Sequence, residues 1–153
     1  MATRFDGSEQ EKQALDLWVK LSRSSSSVEA IVARSLVGTG VTLSQFGVLD
    51  ALYHLGEMKL GTLAVKHLRS PNNMTSVVDT MERAGLVCRA RQQADRRIIL
   101  VSITSKGRAA FEEIWPKHLA AIVQAVDGVD DREKAVLAEL LRKLGLSASQ
   151  TNP

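Results

Sequence analysis

The sequence predicts a mainly α chain carrying one small β-hairpin, and three observations predict it. Apolar residues recur at helical spacing in six segments bounded by glycine, proline or capping residues. Only residues 86–104 change period, into two short runs, 86–91 and the β-branched 98–104, joined by the polar stretch 92–97. Immediately before that hairpin lies a helix of unusual polarity, residues 71–84, and the hairpin tip itself carries Asp95-Arg96-Arg97.

The first helix opens at Ser8, with Glu11 three residues on, the pattern of a capping box. Leu15, Trp18 and Leu21, then Val28, Ile31, Val32 and Leu36, carry its apolar stripe to about residue 37. Ser22 and the run Ser24 to Ser27 are poor helix formers near its middle. They read either as a low-complexity linker or as small residues where a helix or ligand approaches closely; the periodicity resuming at Val28 favours a helix. Gly38-Thr39-Gly40 breaks the pattern. Thr42 and Gln45 form a second capping box, opening a helix to residue 55 with Phe46, Leu49, Leu52 and Tyr53 inward and Gly56 as its stop.

A short helix follows over about 59–68, with Leu60, Leu63, Ala64 and Leu68 facing the core. Ser70 is the expected N-cap of the next helix, with Pro71 at its first position, where the missing N–H costs nothing. That helix buries Met74, Val77, Val78 and Met81 and ends at Gly85. Beyond the hairpin, Thr104 caps a helix over about 106–126 with Phe111, Ile114, Trp115, Leu119, Ile122 and Val126 on one face, and Pro116 is expected to kink it. Asp130 caps the last helix, with Val136, Leu137, Leu140, Leu141 and Leu144 inward until Gly145. Residues 147–153 read as a disordered tail.

Composition narrows the classes. At 153 residues, 44% apolar and 24% charged, this is an ordinary globular chain. No apolar run approaches the ~20 residues of a membrane span, and the first eight residues have no signal-peptide character, so the cytoplasm is the expected location. Cys88 is the only cysteine, which excludes an internal disulfide and any multi-thiolate metal site; it reads as a small hydrophobe on the first hairpin strand. The net charge of +3 is unevenly spread: residues 1–41 are neutral, 42–108 carry +5, and 109–153 carry −2. The positive excess therefore sits on the short helices and the hairpin.

The polar helix exposes Asn72, Asn73, Thr75, Ser76 and Thr80 where an ordinary surface helix would carry Glu and Lys pairs. Short uncharged side chains that donate and accept hydrogen bonds suit the reading of base edges in a major groove. Arg89, Arg91, Arg96 and Arg97 fall within nine residues on the hairpin, and arginine suits phosphates and a narrow minor groove. Asp95 among them implies a pairing across the tip with Arg97. Thr62, Lys66, Arg69 and Ser70 cluster near the turn between the two short helices as candidates for phosphate contact, which fixes register rather than sequence. A polar helix followed by a basic β-hairpin is the arrangement of a winged helix on DNA, and residues 42–108 are read as that lobe.

The run from Leu86-Val87-Cys88-Arg89 through Asp95-Arg96-Arg97, the alternating strand, and Thr104-Ser105-Lys106-Gly107 resembles the wing of the MarR family of bacterial winged-helix regulators. That wing has Asp-x-Arg, a strand, then Thr-x-x-Gly, matched by Asp95, Arg97, Thr104 and Gly107. The resemblance covers nearly the whole chain. It implies a winged helix-turn-helix with N- and C-terminal dimerisation helices, an obligate homodimer, an inverted-repeat operator in double-stranded DNA, and often release by a small aromatic or phenolic effector. The peroxide-sensing branch uses a cysteine in the first helix, which this chain lacks.

A dimer also follows from the residues. The helices of 8–41 and 109–146 carry more apolar positions than one small core needs, and pairing them between two chains sets two recognition helices ~34 Å apart. The rival account is that they wrap their own core. For a ligand, the candidates are Trp18, Tyr53, His54 and Trp115, on helices expected to meet where the lobe joins the dimer region; the competing role of each is packing. No cofactor or metal is called for, and no enzyme: there is no phosphate loop, no metal-ligand spacing, and His54, His67 and His118 lie on three separate helices. The reading is a DNA-binding transcription regulator that acts as a repressor. The alternatives are a winged helix that binds protein instead, and a small-molecule-binding helical dimer without DNA activity, which leaves the +5 lobe unexplained.

Overall fold

Helices account for most of the chain in the computed structural model, which describes residues 5–67, 71–92, 95 and 97–150, with backbone alone at Pro71 and Asn72. The order is α1 (Glu9–Arg34), α2 (Leu43–Leu55), β1 (Met58–Lys59), α3 (Leu60–Lys66), α4 (Pro71–Arg83), β2 (Val87–Arg91), β3 (Ile99–Ile103), α5 (Ser105–Ala125) and α6 (Asp131–Gln150). The chain divides into two compact units, residues 33–119 and residues 1–32 with 120–153.

The caps expected at Ser8, Thr42 and Asp130 are present. Ser8 Oγ lies 2.8 Å from Glu11 Oε2 and accepts the Glu11 amide at 3.3 Å. Thr42 Oγ1 accepts the Gln45 amide at 3.3 Å while Gln45 Oε1 accepts the Thr42 amide at 2.9 Å. Asp130 Oδ1 accepts the Glu133 amide at 2.8 Å. The serine run 24–27 is helical, and the Ser26 hydroxyl donates back to the Ser22 carbonyl at 3.0 Å. This back-bond to the preceding turn gives the hydroxyl a partner inside the helix, at a small cost to the ladder carbonyl it shares.

Three boundaries differ from expectation. α1 stops at Arg34 rather than near residue 37, because the Leu36 and Val37 amides reach only three residues back, to Ala33 and Arg34, and Gly38 and Gly40 take positive φ. β1 was not expected: two residues are too few to show a period, yet Met58 and Lys59 pair antiparallel with Val101 and Leu100, giving a three-stranded sheet of order β1-β3-β2. α6 runs through Gly145 to Gln150, so 147–150 are helical rather than a tail. A glycine costs about 1 kcal/mol within a helix but does not stop one whose following residues (Leu, Ser, Ala, Gln) remain helix-compatible.

The unit of residues 33–119 has one core. Phe46, Leu49 and Leu52 of α2, Leu63 of α3, Met74, Val78 and Met81 of α4, Val87 and Val101 of the sheet, and Phe111 and Ile114 of α5 are all buried in it. Each large side chain removed from water contributes about 1.5–3 kcal/mol. The apolar faces of α2 and α4 therefore meet on the sheet, and α4 is left with its polar face outward. In the other unit the apolar face of α6 stays exposed: Val136, Leu137, Leu140, Leu141 and Leu144 all face solvent. Among the described residues no helix is long and apolar enough to cross a membrane.

Candidate nucleic-acid interface

The hydrophobic period of α4 fixes the interface first. With Met74, Val78 and Met81 fully buried, the opposite face presents Asn73, Thr75, Ser76, Asp79, Thr80 and Arg83, of which Thr75 and Asp79 are half-buried and the others exposed. Thr80 Oγ1 donates to the Ser76 carbonyl at 3.1 Å, and Arg83 reaches back to the Asp79 carbonyl at 3.4 Å. The helix ends cleanly: Gly85 takes φ +73°, and the Leu86 amide returns to the Met81 carbonyl at 2.9 Å.

The Thr-x-x-Gly of the wing is the lock on that end. Thr104 Oγ1 donates to the Gly85 carbonyl at 2.7 Å and accepts the Gly107 amide at 3.0 Å. Lys106 Nζ donates to the Ala84 carbonyl at 2.7 Å. Gly107 is required sterically, since a Cβ there would stand 2.0 Å from the Leu86 carbonyl oxygen. One threonine and one glycine thus join the end of α4 to the start of α5.

At the wing tip, Asp95 and Arg97 pair as expected. The Arg97 amide and Nε both donate to Asp95 Oδ1, at 3.0 and 3.2 Å, and Nη2 donates to Oδ2 at 3.2 Å. The Arg97 guanidinium holds the Asp95 carboxyl below its ordinary range, with Lys59 adding a smaller pull. Despite this pairing the Arg97 side chain is 92% exposed, so the aspartate orients an arginine without withdrawing it from solvent.

A cleft of about 440 Å³ brings Thr62 of α3, Thr75 of α4 and Arg97 of the wing together, with Lys59, Gly61 and Ile98 also in its lining. Lys66, Asn73, Ser76 and Arg91 lie outside that cleft, exposed on α3, α4 and β2. Arg69, Ser70 and Arg96, and the side chain of Asn72, fall outside the described residues. Lys59 belongs to this group although its sequence position gave no sign of it: only the pairing of β1 with β3 carries it to the wing.

Arg89 behaves differently from Arg97. Its Nη2 lies 2.5 Å from Asp79 Oδ1 and 2.7 Å from Glu82 Oε2, its Nε donates to Glu82 Oε2 at 3.0 Å, and its amide donates to Glu82 Oε1 at 3.1 Å. The hydrogen bonds from Arg89 lower the Glu82 pKa.

Of the ligand candidates, Tyr53, His54 and Trp115 do come together, around Phe111. Ring centroids are 4.3 Å apart for Tyr53–Phe111, 5.4 Å for Phe111–Trp115 and 6.2 Å for His54–Trp115. The Tyr53 hydroxyl donates to Glu112 Oε1 at 2.9 Å, which raises its pKa, and Arg108 sits 4.7 Å above its ring. Trp18 belongs to the other unit and is 65% exposed. His118, assigned no role from sequence, is buried against Phe46 at 4.2 Å, with Nδ1 2.8 Å from Ser35 Oγ. A partner 83 residues away leaves no local signal.

Comparison with known proteins agrees with this geometry. A profile of the MarR family matches residues 41–99. The chain is 31% identical over 139 residues to the HTH-type transcriptional regulator MhqR of Bacillus subtilis (strain 168), covering 91% of this chain and 96% of that one. Its fold is similar to that of Bordetella bronchiseptica BpsR, whose DNA binding is regulated by 6-hydroxynicotinic acid, with a TM-score of 0.79 and 26% identity over 85% of this chain and 98% of BpsR. It is similar also to CouR from Rhodococcus jostii RHA1, solved with p-coumaroyl-CoA bound, with a TM-score of 0.75 and 26% identity over 84% of this chain and 91% of CouR.

Proposed function

The chain belongs to the MarR family of winged-helix transcriptional regulators, and from that premise we propose that it is a homodimeric, cytoplasmic repressor that grips an inverted-repeat operator and is released by a small aromatic acid. It is a DNA-binding regulator and not an enzyme. The observation that carries the operator reading is the cleft joining Thr62, Thr75 and Arg97, with Asp95 aiming the arginine outward. In this reading Asn72, Asn73, Thr75 and Ser76 face base edges in the major groove, and Arg97 enters the minor groove. Thr62, Lys66, Arg69, Ser70, Arg91 and Arg96 hold phosphates, which sets register.

The lobe of residues 42–108 carries these contacts, while the helices of 8–41 and 109–146 pair two copies. The exposed leucine face of α6 supports the pairing, since a contiguous apolar face is rarely left to water. The effector class rests on likeness to BpsR and CouR, which are regulated by or bind an aromatic acid or its thioester. The aromatic group of Tyr53, His54 and Trp115 is its proposed seat. Binding there acts by changing the spacing or angle of the two recognition helices.

Fluorescence anisotropy on duplexes tiled from the region upstream of the chain's own gene tests the reading. Wild type is expected to select one inverted-repeat duplex with a steep salt slope. Arg97→Ala is expected to lose about 1–3 kcal/mol of that binding and flatten the slope. Equal, weak binding to every duplex, unmoved by Arg97→Ala, would replace the DNA reading with a protein-binding winged helix.

A further inference from the structure

A recognition helix with carboxylates on its outward face is electrostatically at odds with the polyanion it is meant to enter. Asp79 stands one turn beyond Thr75 and Ser76 and one turn before Arg83, in the middle of the polar face of α4, and its side chain is 45% exposed. Glu82 flanks it at 37% exposure. Both carboxylates converge on a single guanidinium, that of Arg89, which is the least exposed member of the network at 24%.

We infer that Arg89 is a positioning residue of the DNA interface that acts by occupying Asp79 and Glu82 and does not itself contact DNA. Its planar fork takes Asp79 and Glu82 together, and its own backbone amide adds a further bond to Glu82. Two consequences follow. The carboxylates are turned toward β2, so phosphates approaching α4 meet a largely compensated field instead of two uncompensated negative charges. The same network fixes the rotation of α4 against the wing strand, so the helix and the wing tip enter the two grooves as one piece. Lysine is a poor substitute, because a single ammonium cannot engage two carboxylates in a fixed fork.

This inference rests on the proposed DNA reading, and the experiment separates the two. Anisotropy on the duplex selected by wild type is measured across salt for Arg89→Met, for Arg89→Met/Asp79→Asn/Glu82→Gln, and for Lys66→Ala, with thermal melting of each. Failure of wild type to select any duplex overturns the DNA reading itself. If Arg89 masks charge, Arg89→Met weakens binding about tenfold at low salt with a deficit that shrinks as salt screens the unmasked carboxylates, and the triple variant recovers both the wild-type slope and the affinity to within about threefold although its melting temperature does not recover. Lys66→Ala serves as the contrast, a phosphate contact whose loss lowers the slope by about one. Arg89→Met behaving like Lys66→Ala, with no recovery in the triple variant, would make Arg89 an ordinary phosphate contact and overturn the inference. So would unchanged binding in Arg89→Met, or losses in binding and melting temperature that the triple variant leaves equally uncorrected.

Discussion

An alanine at position 107 would push its Cβ to 2.0 Å from the Leu86 carbonyl oxygen, a backbone atom that no rotamer change moves aside. Gly107→Ala is therefore expected to lower folding stability by at least ~2 kcal/mol, measured by urea unfolding. Thr104 makes the strain unavoidable, because its hydroxyl holds the Gly85 carbonyl and the Gly107 amide at once and leaves the two segments no room to part. The wing shows a gentler use of one residue on another: Asp95 spends its charge on the orientation of Arg97 while leaving the guanidinium in solvent. The Thr104–Gly107 and Asp95–Arg97 pairings were legible in the sequence, because their members lie two or three residues apart, whereas the bond from Thr104 to Gly85 spans 19 residues and was not. The Arg89 network was not, because Asp79 and Glu82 sit on a different element and only the packing of β2 beside α4 brings them within reach.

Between elements, the bond from Ser35 to His118 ties the turn after α1 to α5 inside the core. Burial depresses the His118 pKa below the ordinary 6.5, and Asp50 opposes this only in part. The folded state thus favours the neutral ring and binds fewer protons than the unfolded chain once the pH falls below 6.5. The sign is a loss of stability on acidification, beginning near 6.5 and continuing down through the folded-state value. Between about pH 7.5 and 5.5 the melting temperature of wild type is expected to fall further than that of His118→Gln, whose side chain cannot take up a proton. Equal falls would assign the acid sensitivity to other groups. Caps and helical periods made most elements readable from sequence: Ser8 with Glu11, Thr42 with Gln45, and Thr104 at its Gly107 all stand as expected. The failures have physical causes. A two-residue strand carries no period, and an exposed helix whose glycine needs no left-handed turn runs on past it.

At the scale of the whole molecule, α6 has no buried residue although it carries a regular leucine stripe. A helix of that composition gains its packing from elsewhere, and the proposed second copy supplies it. Placing charges on the stripe in Leu140→Glu/Leu144→Glu is expected to convert a dimer to a monomer in light scattering and to abolish selective operator binding. A double variant that still sediments and binds like wild type would send the interface to another face. The sheet raises a separate matter of colloidal behaviour. β2 is its outer strand, and such an edge invites strand addition by a neighbouring chain. Here the outward amide of Arg89 is already taken by Glu82, a side chain of the adjacent helix, so one donor of that edge is withheld from a neighbouring chain. Loss of the Arg89–Glu82 contact would thus expose an amide of the sheet edge and a carboxylate of the recognition helix together.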